Sequence, residues 1–430
     1  EYKVMEKKEY KKRIIDSKID MHLRAFGAIA VEGPKWCGKT WSSENAAASE
    51  FKLGNPDGNF QNRRLAEINP ALILEGEQPR LIDEWQEVPQ IWDAVRAKTD
   101  ENRKKGCYIL TGSSTPKRKG IMHSGAGRIS RIRMGTMSLF ESGYSSGLIS
   151  LEDICRNKAE DTNTGEIRIE TICDLIIRGG WPENIDLPLE YAALLPSQYI
   201  EAIVKDDASR IDDKKRDYEK MMRLLRSLAR NESTTSSKAV LKRDIVDVED
   251  EIIDENTISD YLDVFNRLFL IDNQPPFSPS VRSSTRVKQK EKRHFCDQSI
   301  ACSLMGITKP EMLIGDLETT GFLFESLVEH DLKIYAESFN AKLFHYQDYK
   351  NREIDAVVEL DNGDWCAFEI KLGANQIDIA ANNLLDIAKS FNEDPKGKPP
   401  TALCVICGLT NAAYLRPDGV YVVPITALRP

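Results

Sequence analysis

The sequence predicts an α/β protein of two to three domains, and three observations lead to this fold class. The chain has 430 residues, which is too long for one ordinary hydrophobic core. Its composition, with 41% hydrophobic and 30% charged residues, is that of a globular protein. An apolar run at 27–31 leads directly into a glycine-bounded loop and then into helix-forming residues, an order typical of α/β folds.

Charge and cysteine content narrow the class of protein. Lys and Arg number 59 and Asp and Glu number 68, so the net charge of −9 argues against a protein coated in positive charge, although a local basic face could still bind nucleic acid. The nine cysteines are scattered, unlike a disulfide scaffold, and indicate a reducing, cytoplasmic location. No apolar run is long enough to cross a bilayer, so we expect no membrane contact. The numbering begins without a methionine, which leaves a removed leader open.

The glycine-bounded loop has the composition of a phosphate cradle. The apolar run predicts a buried strand, and the segment GPKWCGKT follows it at Gly33–Thr40. Main-chain N–H groups of such a loop and the N-terminus of the next helix point at phosphates, and glycine permits the close approach. We expect Lys39 to reach the β- and γ-phosphates of a nucleotide and the Thr40 hydroxyl to hold Mg²⁺. The residues predicted to contact the nucleotide are Gly33, Pro34, Lys35, Trp36, Cys37, Gly38, Lys39, Thr40 and Trp41.

An acidic element follows downstream of the loop. Leu81 and Ile82 form an apolar strand end that leads into Asp83 and Glu84. Asp83 is predicted to bind Mg²⁺ through water, and Glu84 to polarise the water that attacks the γ-phosphate. Alone, this pattern usually marks a strand that runs into solvent, but after a phosphate loop it indicates a catalytic pair.

A third predicted strand at 107–110 ends in hydroxyl residues, and an arginine-rich stretch follows it. We select Ser113 as the residue that senses the γ-phosphate, with ordinary turn chemistry as the alternative. Among Arg128, Arg131 and Arg133, Arg128 is the candidate arginine finger, acting in its own site or in that of a neighbouring subunit. Surface solvation is the alternative for Arg128, and a homo-oligomer stays open.

Several stretches that cover nearly the whole chain resemble a family of prokaryotic AAA-type ATPases. Members of this family join an N-terminal ATPase to a C-terminal domain of unknown function that is similar to a PD-(D/E)XK nuclease. The resemblance implies ATP rather than GTP as the nucleotide. The matching stretches are GPKWCGKT, LIDEWQEVP, YILTGSS, GRISRIRMGTMSLFE, IIRGGWPE, YIEAIVKDDASRI, KRHFCDQSIACSLMG, GFLFESLVEHDL, REIDAVVE and AFEIKLG.

The middle of the chain is predicted to be mainly helical. The resemblance implies a helical lid at 151–210, which completes an ATPase domain at 1–210. Residues 211–280 resemble a winged helix, because helical patterns are followed by an apolar strand and a Pro-Pro stop. Its acidic second helix, with Thr257 as a plausible N-cap, favours packing or domain coupling over DNA contact, and both stay open. The apolar face of that helix carries Ile258, Tyr261, Leu262, Phe265, Leu268 and Phe269.

The following segment is the strongest local basic patch of this acidic chain, although such a charge run is usually a solvated strand or hairpin. Glu291 is its single acid. The cations are Arg282, Arg286, Lys288, Lys290, Lys292 and Arg293.

The last third of the chain predicts a second site that could bind a metal. Glu369 and Lys371 lie two residues apart on one strand, so their side chains share a face, and a hairpin can bring Asp355 alongside. Two carboxylates would hold a divalent metal, and the ammonium would act on the attacking water. Glu325 on the preceding helix is a further candidate ligand. The set resembles the PD-(D/E)XK constellation, whereas solvated charges at a hairpin end are the alternative.

These observations predict three parts: a P-loop AAA-type ATPase (1–210), a winged-helix-like connector (211–280) and a C-terminal α/β restriction-endonuclease-like domain (285–430). The hypothesis is that an ATP cycle controls a nuclease-like domain that acts on DNA. The alternative is a nucleotide-dependent switch whose C-terminal half binds a protein partner without cleaving DNA. A third interpretation is a sequence-specific DNA-binding regulator.

Overall fold

The computed structural model describes residues 10–116, 121–212, 214–245, 254–278, 289–348, 350, 352–393 and 397–430. The chain divides into two compact units, Glu1–Met134 and Gly135–Pro430. Among the described residues, no helix combines the length and the apolar character needed to cross a membrane.

The first unit is built on a five-stranded parallel sheet with the strand order β2-β3-β4-β1-β5. Its strands are β1 (Ala28–Glu32), β2 (Ser49–Lys52), β3 (Arg80–Asp83), β4 (Tyr108–Gly112) and β5 (Ile129–Arg133). Its helices are α1 (Ile15–Ala25), α2 (Lys39–Ala46), α3 (Asp57–Ile68) and α4 (Gln90–Asn102).

Strand β1 lies inside the sheet and is buried along its whole length. Its alternate residues face two hydrophobic layers, as the pleat of a strand requires. Ala28 and Ala30 contribute to the layer that contains Trp85 and Trp92, whose ring centroids lie 4.9 Å apart. Ile29 and Val31 belong to the opposite layer, together with residues of α1. A strand buried on both faces explains why the sequence at this point is a continuous apolar run.

The second unit contains a seven-stranded mixed sheet with the order β7-β12-β13-β11-β10-β9-β8. Strands β8, β9 and β10 form an antiparallel meander, and β10, β11 and β13 run parallel. The strands of this unit are β6 (Ile149–Ser150), β7 (Thr162–Asn163), β8 (Lys342–Gln347), β9 (Glu353–Glu359), β10 (Trp365–Gly373), β11 (Ala402–Leu409), β12 (Ala412–Leu415), β13 (Val420–Pro424) and β14 (Leu428–Arg429).

Most helices of the second unit precede its sheet in the chain. They are α5 (Leu139–Ser142), α6 (Leu151–Cys155), α7 (Ile169–Arg178), α8 (Leu189–Ala192), α9 (Leu194–Ala202), α10 (Ala208–Arg210), α11 (Tyr218–Arg230), α12 (Lys238–Ile245), α13 (Glu255–Arg267), α14 (Gln298–Leu304), α15 (Pro310–Ile314), α16 (Leu317–Ser338) and α17 (Ile377–Glu393). A π-helical turn, Ile203–Asp207, joins α9 to α10. The long helices α16 and α17 both contact strand β10.

The region predicted to be a winged helix contains α11, α12 and α13, followed by isolated strand-like pairs such as Ile271 with Phe295. Residues 246–253 and 279–288 lie outside the described part. The predicted apolar face of α13 is buried, but the helix begins at Glu255, so Thr257 is not its N-cap. One acid of α13 is paired within the unit, since Arg216 contacts Asp260 at 2.8 Å. This pairing fits packing better than contact with phosphates.

The division between the compact units falls at 134/135 along the chain, whereas the sequence predicted the first domain boundary at 210. Residues after 134 are tied to distant parts of the second unit by buried hydrogen bonds. Asp297 accepts hydrogen bonds from Thr136 Oγ1 at 2.7 Å and from the Gly180 N–H at 2.8 Å. Asp331 accepts one from the Leu139 N–H at 2.9 Å. The segment predicted to be a lid is therefore part of the second unit's core.

Candidate functional site

The phosphate loop joins the end of β1 to the start of α2, and its first and last glycines are both required by its geometry. A Cβ atom on Gly33 would lie 2.0 Å from the main-chain oxygen of Met134, so no larger residue fits without a shift of the backbone. Gly38 immediately precedes α2 with φ 100°, in the left-handed region that favours glycine. The loop thus delivers its N–H groups and the N-terminus of α2 to one place, as anion binding requires.

Lys39 is buried in this loop. Its side chain is 4% exposed, and Nζ donates a hydrogen bond to the Pro34 carbonyl oxygen at 2.7 Å. The ammonium therefore lies over the loop rather than in bulk solvent. Trp36 and Trp41, in contrast, are exposed.

The structure brings together Thr40 and Asp83, the two residues predicted to bind the metal. Thr40 Oγ1 donates a hydrogen bond to Asp83 Oδ1 at 2.8 Å. The hydroxyl of Thr111, at the end of β4, donates to the same oxygen at 2.6 Å. Parallel strands end at one edge of a sheet, so residues distant in sequence meet there. The sequence analysis did not select Thr111, although its position at a strand end was a usable signal.

Glu84, the predicted base, is held by neighbouring polar groups. Its backbone is left-handed, with φ 59°, and its N–H donates to Thr111 Oγ1 at 3.1 Å. Ser113 Oγ donates to Glu84 Oε2 at 2.9 Å, and the side-chain amide of Gln86 donates to the same carboxylate oxygen. Gln86 also donates to Ser113 Oγ at 3.2 Å. Sequence reasoning missed Gln86, which closes this three-residue cluster.

Arg128 does not line the phosphate site of its own chain. It precedes β5, and its carbonyl accepts a hydrogen bond from the Ala28 N–H at the amino end of β1, whereas the phosphate loop follows the carboxyl end of that strand. The Arg128 guanidinium is about half exposed and pairs with Asp100 at 2.6 Å. The position of Arg128 therefore gives no support to a role in its own site, and its role in hydrolysis stays a prediction.

The other two arginines of this stretch lie nearer the loop. Arg133 is paired in register with Glu32, the last residue before the loop. Arg131 donates to Glu32 Oε1 at 2.8 Å and packs over the Trp92 ring at 4.4 Å. Burial raises the pKa of Glu32, and Arg131 opposes that effect.

In the second unit, the structure also brings together Asp355, Glu369 and Lys371. Lys371 Nζ lies 3.0 Å from Asp355 Oδ2 and 2.7 Å from Glu369 Oε2. The Ile370 N–H donates to Asp355 Oδ2 at 2.8 Å, and the Asn383 side chain donates to Glu369 Oε1 at 2.8 Å. Antiparallel pairing of β9 and β10 and the docking of α17 create this arrangement.

Lys292 is a second cation in the same cluster, and this corrects the prediction of a basic patch. The residue is 6% exposed, and its Nζ contacts Glu325 at 2.6 Å and Glu329 at 2.9 Å. It also donates to the main-chain oxygen of Asp355 at 3.0 Å. Lys292 is therefore an internal counter-ion. Of the remaining predicted patch, Arg282, Arg286 and Lys288 lie outside the described residues.

A buried histidine extends the cluster. His294 bridges Glu329, at 2.5 Å from Nε2, and Glu232, at 3.2 Å from Nδ1. Burial alone would lower the pKa of His294, but the two carboxylates outweigh it and raise the pKa to about 10. The cluster thus joins charged side chains from the helical region and from the sheet.

Burial perturbs the carboxyl groups of this cluster. It raises the pKa of Glu369 to about 7, and the charge of Asp355 adds to the effect. It raises the pKa of Glu325 to about 8, against the opposing effect of Lys292. Burial would lower the pKa of Lys371, but Asp355 and Glu369 keep it above the ordinary value. In the part of the chain that the structure describes, no group of three or more His, Cys, Asp or Glu side chains is arranged to hold a metal.

Three stretches of the chain match protein families. Residues 25–142 match a family described as AAA domain. Residues 169–311 and 320–428 match families described as domains of unknown function, DUF8612 and DUF4143. No curated protein matches the chain. A solved structure, the Walker-type ATPase of Pyrococcus abyssi, is 13% identical over 69% of this chain and 96% of its own, with a TM-score of 0.42 that is too low to carry an argument.

The matched AAA region coincides with the first unit's sheet and with the phosphate loop. The loop, Lys39, and the Thr40–Asp83 pair at the carboxyl edge of a parallel sheet are the parts that bind ATP in such domains. The N-terminal part of the chain therefore has an AAA-type P-loop ATPase fold.

Proposed function

We propose that this chain binds ATP with Mg²⁺ at 33–41 and hydrolyses it. The observation that carries the proposal is the hydrogen bond between Thr40 and Asp83 beside the buried Lys39. It places a hydroxyl, a carboxylate and an ammonium at the end of the loop where the β- and γ-phosphates would lie.

The chain's own residues divide the binding task. The loop N–H groups and the N-terminus of α2 hold the phosphates, and Lys39 exchanges the Pro34 carbonyl for phosphate oxygens. Thr40 and Asp83 would hold Mg²⁺, because both offer the oxygen ligands that this hard cation prefers. When bound, Mg²⁺ neutralises negative charge on the β- and γ-phosphates.

Glu84 is the residue that takes the proton from water. Water attacks the γ-phosphorus, the bond to the ADP oxygen breaks, and the proton passes to the Glu84 carboxylate, giving ADP and phosphate. Before this step Glu84 must exchange its hydrogen bond from Ser113 for one from water. Ser113 is therefore suited to sense whether a γ-phosphate is present.

Substitution of Glu84 tests the assignment of the base. Glu84→Gln should keep ATP binding and lose turnover by roughly 10²- to 10⁴-fold, the usual contribution of a general base. Glu87→Gln is the matched control, since Glu87 pairs with Arg63 rather than with the site. Undiminished hydrolysis in Glu84→Gln would remove Glu84 from the mechanism.

For the second unit we propose a nuclease-like domain that acts on nucleic acid under control of the ATP cycle. The proximity of Asp355, Glu369 and Lys371 supports it, as does the order α16, β8, β9, β10, α17, β11. Asp355 and Glu369 offer carboxylate oxygens to a divalent metal, which would supply a Lewis acid. Cleavage of plasmid and single-stranded DNA with Mg²⁺ or Mn²⁺, with and without ATP, tests this against Asp355→Ala.

The alternative is a switch whose C-terminal half binds a protein partner. The two lysines that neutralise the carboxylate cluster, and the acidic helix α13, favour it. Absence of cutting by wild type under all conditions, with ATP still hydrolysed, would select this alternative.

A further inference from the structure

The segment that precedes α1 is fastened to the phosphate loop by a buried arginine. Arg13 is 6% exposed, which is uncommon for arginine unless it is paired. Its Nη1 donates a hydrogen bond to the carbonyl oxygen of Cys37 at 2.8 Å. Cys37 lies two residues before Lys39, inside the loop.

This hydrogen bond fixes the direction of one peptide group. In a trans peptide the C=O and the following N–H point to opposite sides of the chain. Because the Cys37 carbonyl is drawn towards Arg13, the N–H of Gly38 points the other way. A loop binds anions only when its N–H groups converge and its carbonyl dipoles point elsewhere. Arg13 thus withdraws a carbonyl that would otherwise repel phosphate.

The position of Arg13 is itself fixed at further points. Its N–H donates to Asp16 Oδ2 at 2.9 Å, and the Asp16 N–H donates back to the Arg13 carbonyl at 3.2 Å. The Tyr10 hydroxyl lies 2.7 Å from Asp16 Oδ1 and 2.9 Å from Ser42 Oγ. Ser42 is on α2, two residues after Thr40. The segment is therefore braced against both the loop and the helix that follows it.

We propose that Arg13 is a positioning residue for nucleotide phosphates, acting through the Cys37–Gly38 peptide. The inference rests on the proposed binding of ATP at the loop. Loss of a residue that orients a phosphate-binding N–H should weaken the binding of ATP and ADP more than that of AMP. Loss of a residue that contacts the base should weaken the binding of all adenine nucleotides alike.

Binding of fluorescent ATP, ADP and AMP analogues to the full chain tests the proposal. Arg13→Ala should weaken ATP and ADP binding by about tenfold or more and AMP binding much less. Arg13→Lys keeps the charge and loses the planar fork, so its affinity for ATP and ADP should lie between that of wild type and that of Arg13→Ala. Arg24→Ala, on the neighbouring helix α1, is the matched control, because Arg24 is exposed and pairs only with Asp20 among the contacts seen.

Two results would overturn the proposal. Unchanged ATP affinity in folded Arg13→Ala would show that the peptide does not depend on the arginine. An equal loss of affinity for ATP, ADP and AMP would place Arg13 at the nucleoside instead.

If circular dichroism shows that Arg13→Ala does not fold, the same comparison of ATP, ADP and AMP binding is made with Arg13→Lys. Wild type that binds no nucleotide would refute the proposed function itself, a separate outcome.

Discussion

Replacement of Lys292 by methionine should strongly destabilise the second unit. Methionine keeps the length of the side chain but removes the ammonium that contacts Glu325 at 2.6 Å and Glu329 at 2.9 Å. Removal of one partner of a buried ion pair typically costs about 3–5 kcal/mol, because the remaining charge is uncompensated. Here two carboxylates lose the same partner, so we expect a value in this range rather than below it.

Urea unfolding of the full chain, followed by circular dichroism, measures this cost. A loss of this size should lower the midpoint by about 1 M or more, given m values near 3 kcal/mol/M for a large unit. Lys290→Met is the matched control, since Lys290 is exposed and lies two residues away. The double variant Lys292→Met/Glu325→Gln should recover part of the loss. A midpoint for Lys292→Met that equals that of Lys290→Met would refute the counter-ion role.

Three further predictions concern the loop, the arginine and the pH dependence. Gly33→Ala should abolish ATP binding measured by calorimetry, because its Cβ would lie 2.0 Å from the Met134 oxygen, and intact ATP affinity would contradict this. Arg128→Ala should not change turnover in dilute, monomeric protein; a loss that appears only on self-association would assign Arg128 to a neighbouring subunit. Burial raises the pKa of Glu369 to about 7, so the folded state holds this proton more tightly than the unfolded state does. The resulting contribution to stability is present at acidic pH and is lost as the pH rises through 7. The midpoint of urea unfolding in Glu369→Gln should therefore fall less between pH 5 and 8 than that of wild type, and parallel profiles would refute the assignment.

The phosphate site could be predicted because its signals are local. Strand β1, the loop and the first residues of α2 are consecutive, and Asp83 directly follows a buried pair on a strand. Parallel strands then bring Asp83 and Thr40 together at one edge without further information. The three C-terminal residues were predictable for a related reason, since they lie on neighbouring antiparallel strands.

The structure departs from the sequence-based predictions where the position of a residue depends on distant contacts. Arg128 was grouped with the phosphate-sensing residues that follow β4. However, Arg128 immediately precedes the parallel strand β5, so it lies at the edge of the sheet opposite to the phosphate loop. Lys292 was interpreted as part of a solvated charge run, although Glu325 and Glu329, one helical turn apart in a largely buried helix, are neutralised by an internal cation. The boundary at 210 failed to match the compact division because Asp297, more than 100 residues away, anchors Thr136 and Gly180.

Release of phosphate from ATP by wild type and Lys39→Ala tests the central claim most directly. Lys39 is buried in the loop, and its ammonium is the group that would meet the β- and γ-phosphates. Lys105→Ala, an exposed lysine of the same unit, is the control. The account predicts Mg²⁺-dependent hydrolysis by wild type and by Lys105→Ala. It predicts that Lys39→Ala loses both hydrolysis and affinity for ATP. Hydrolysis that survives Lys39→Ala unchanged would contradict it.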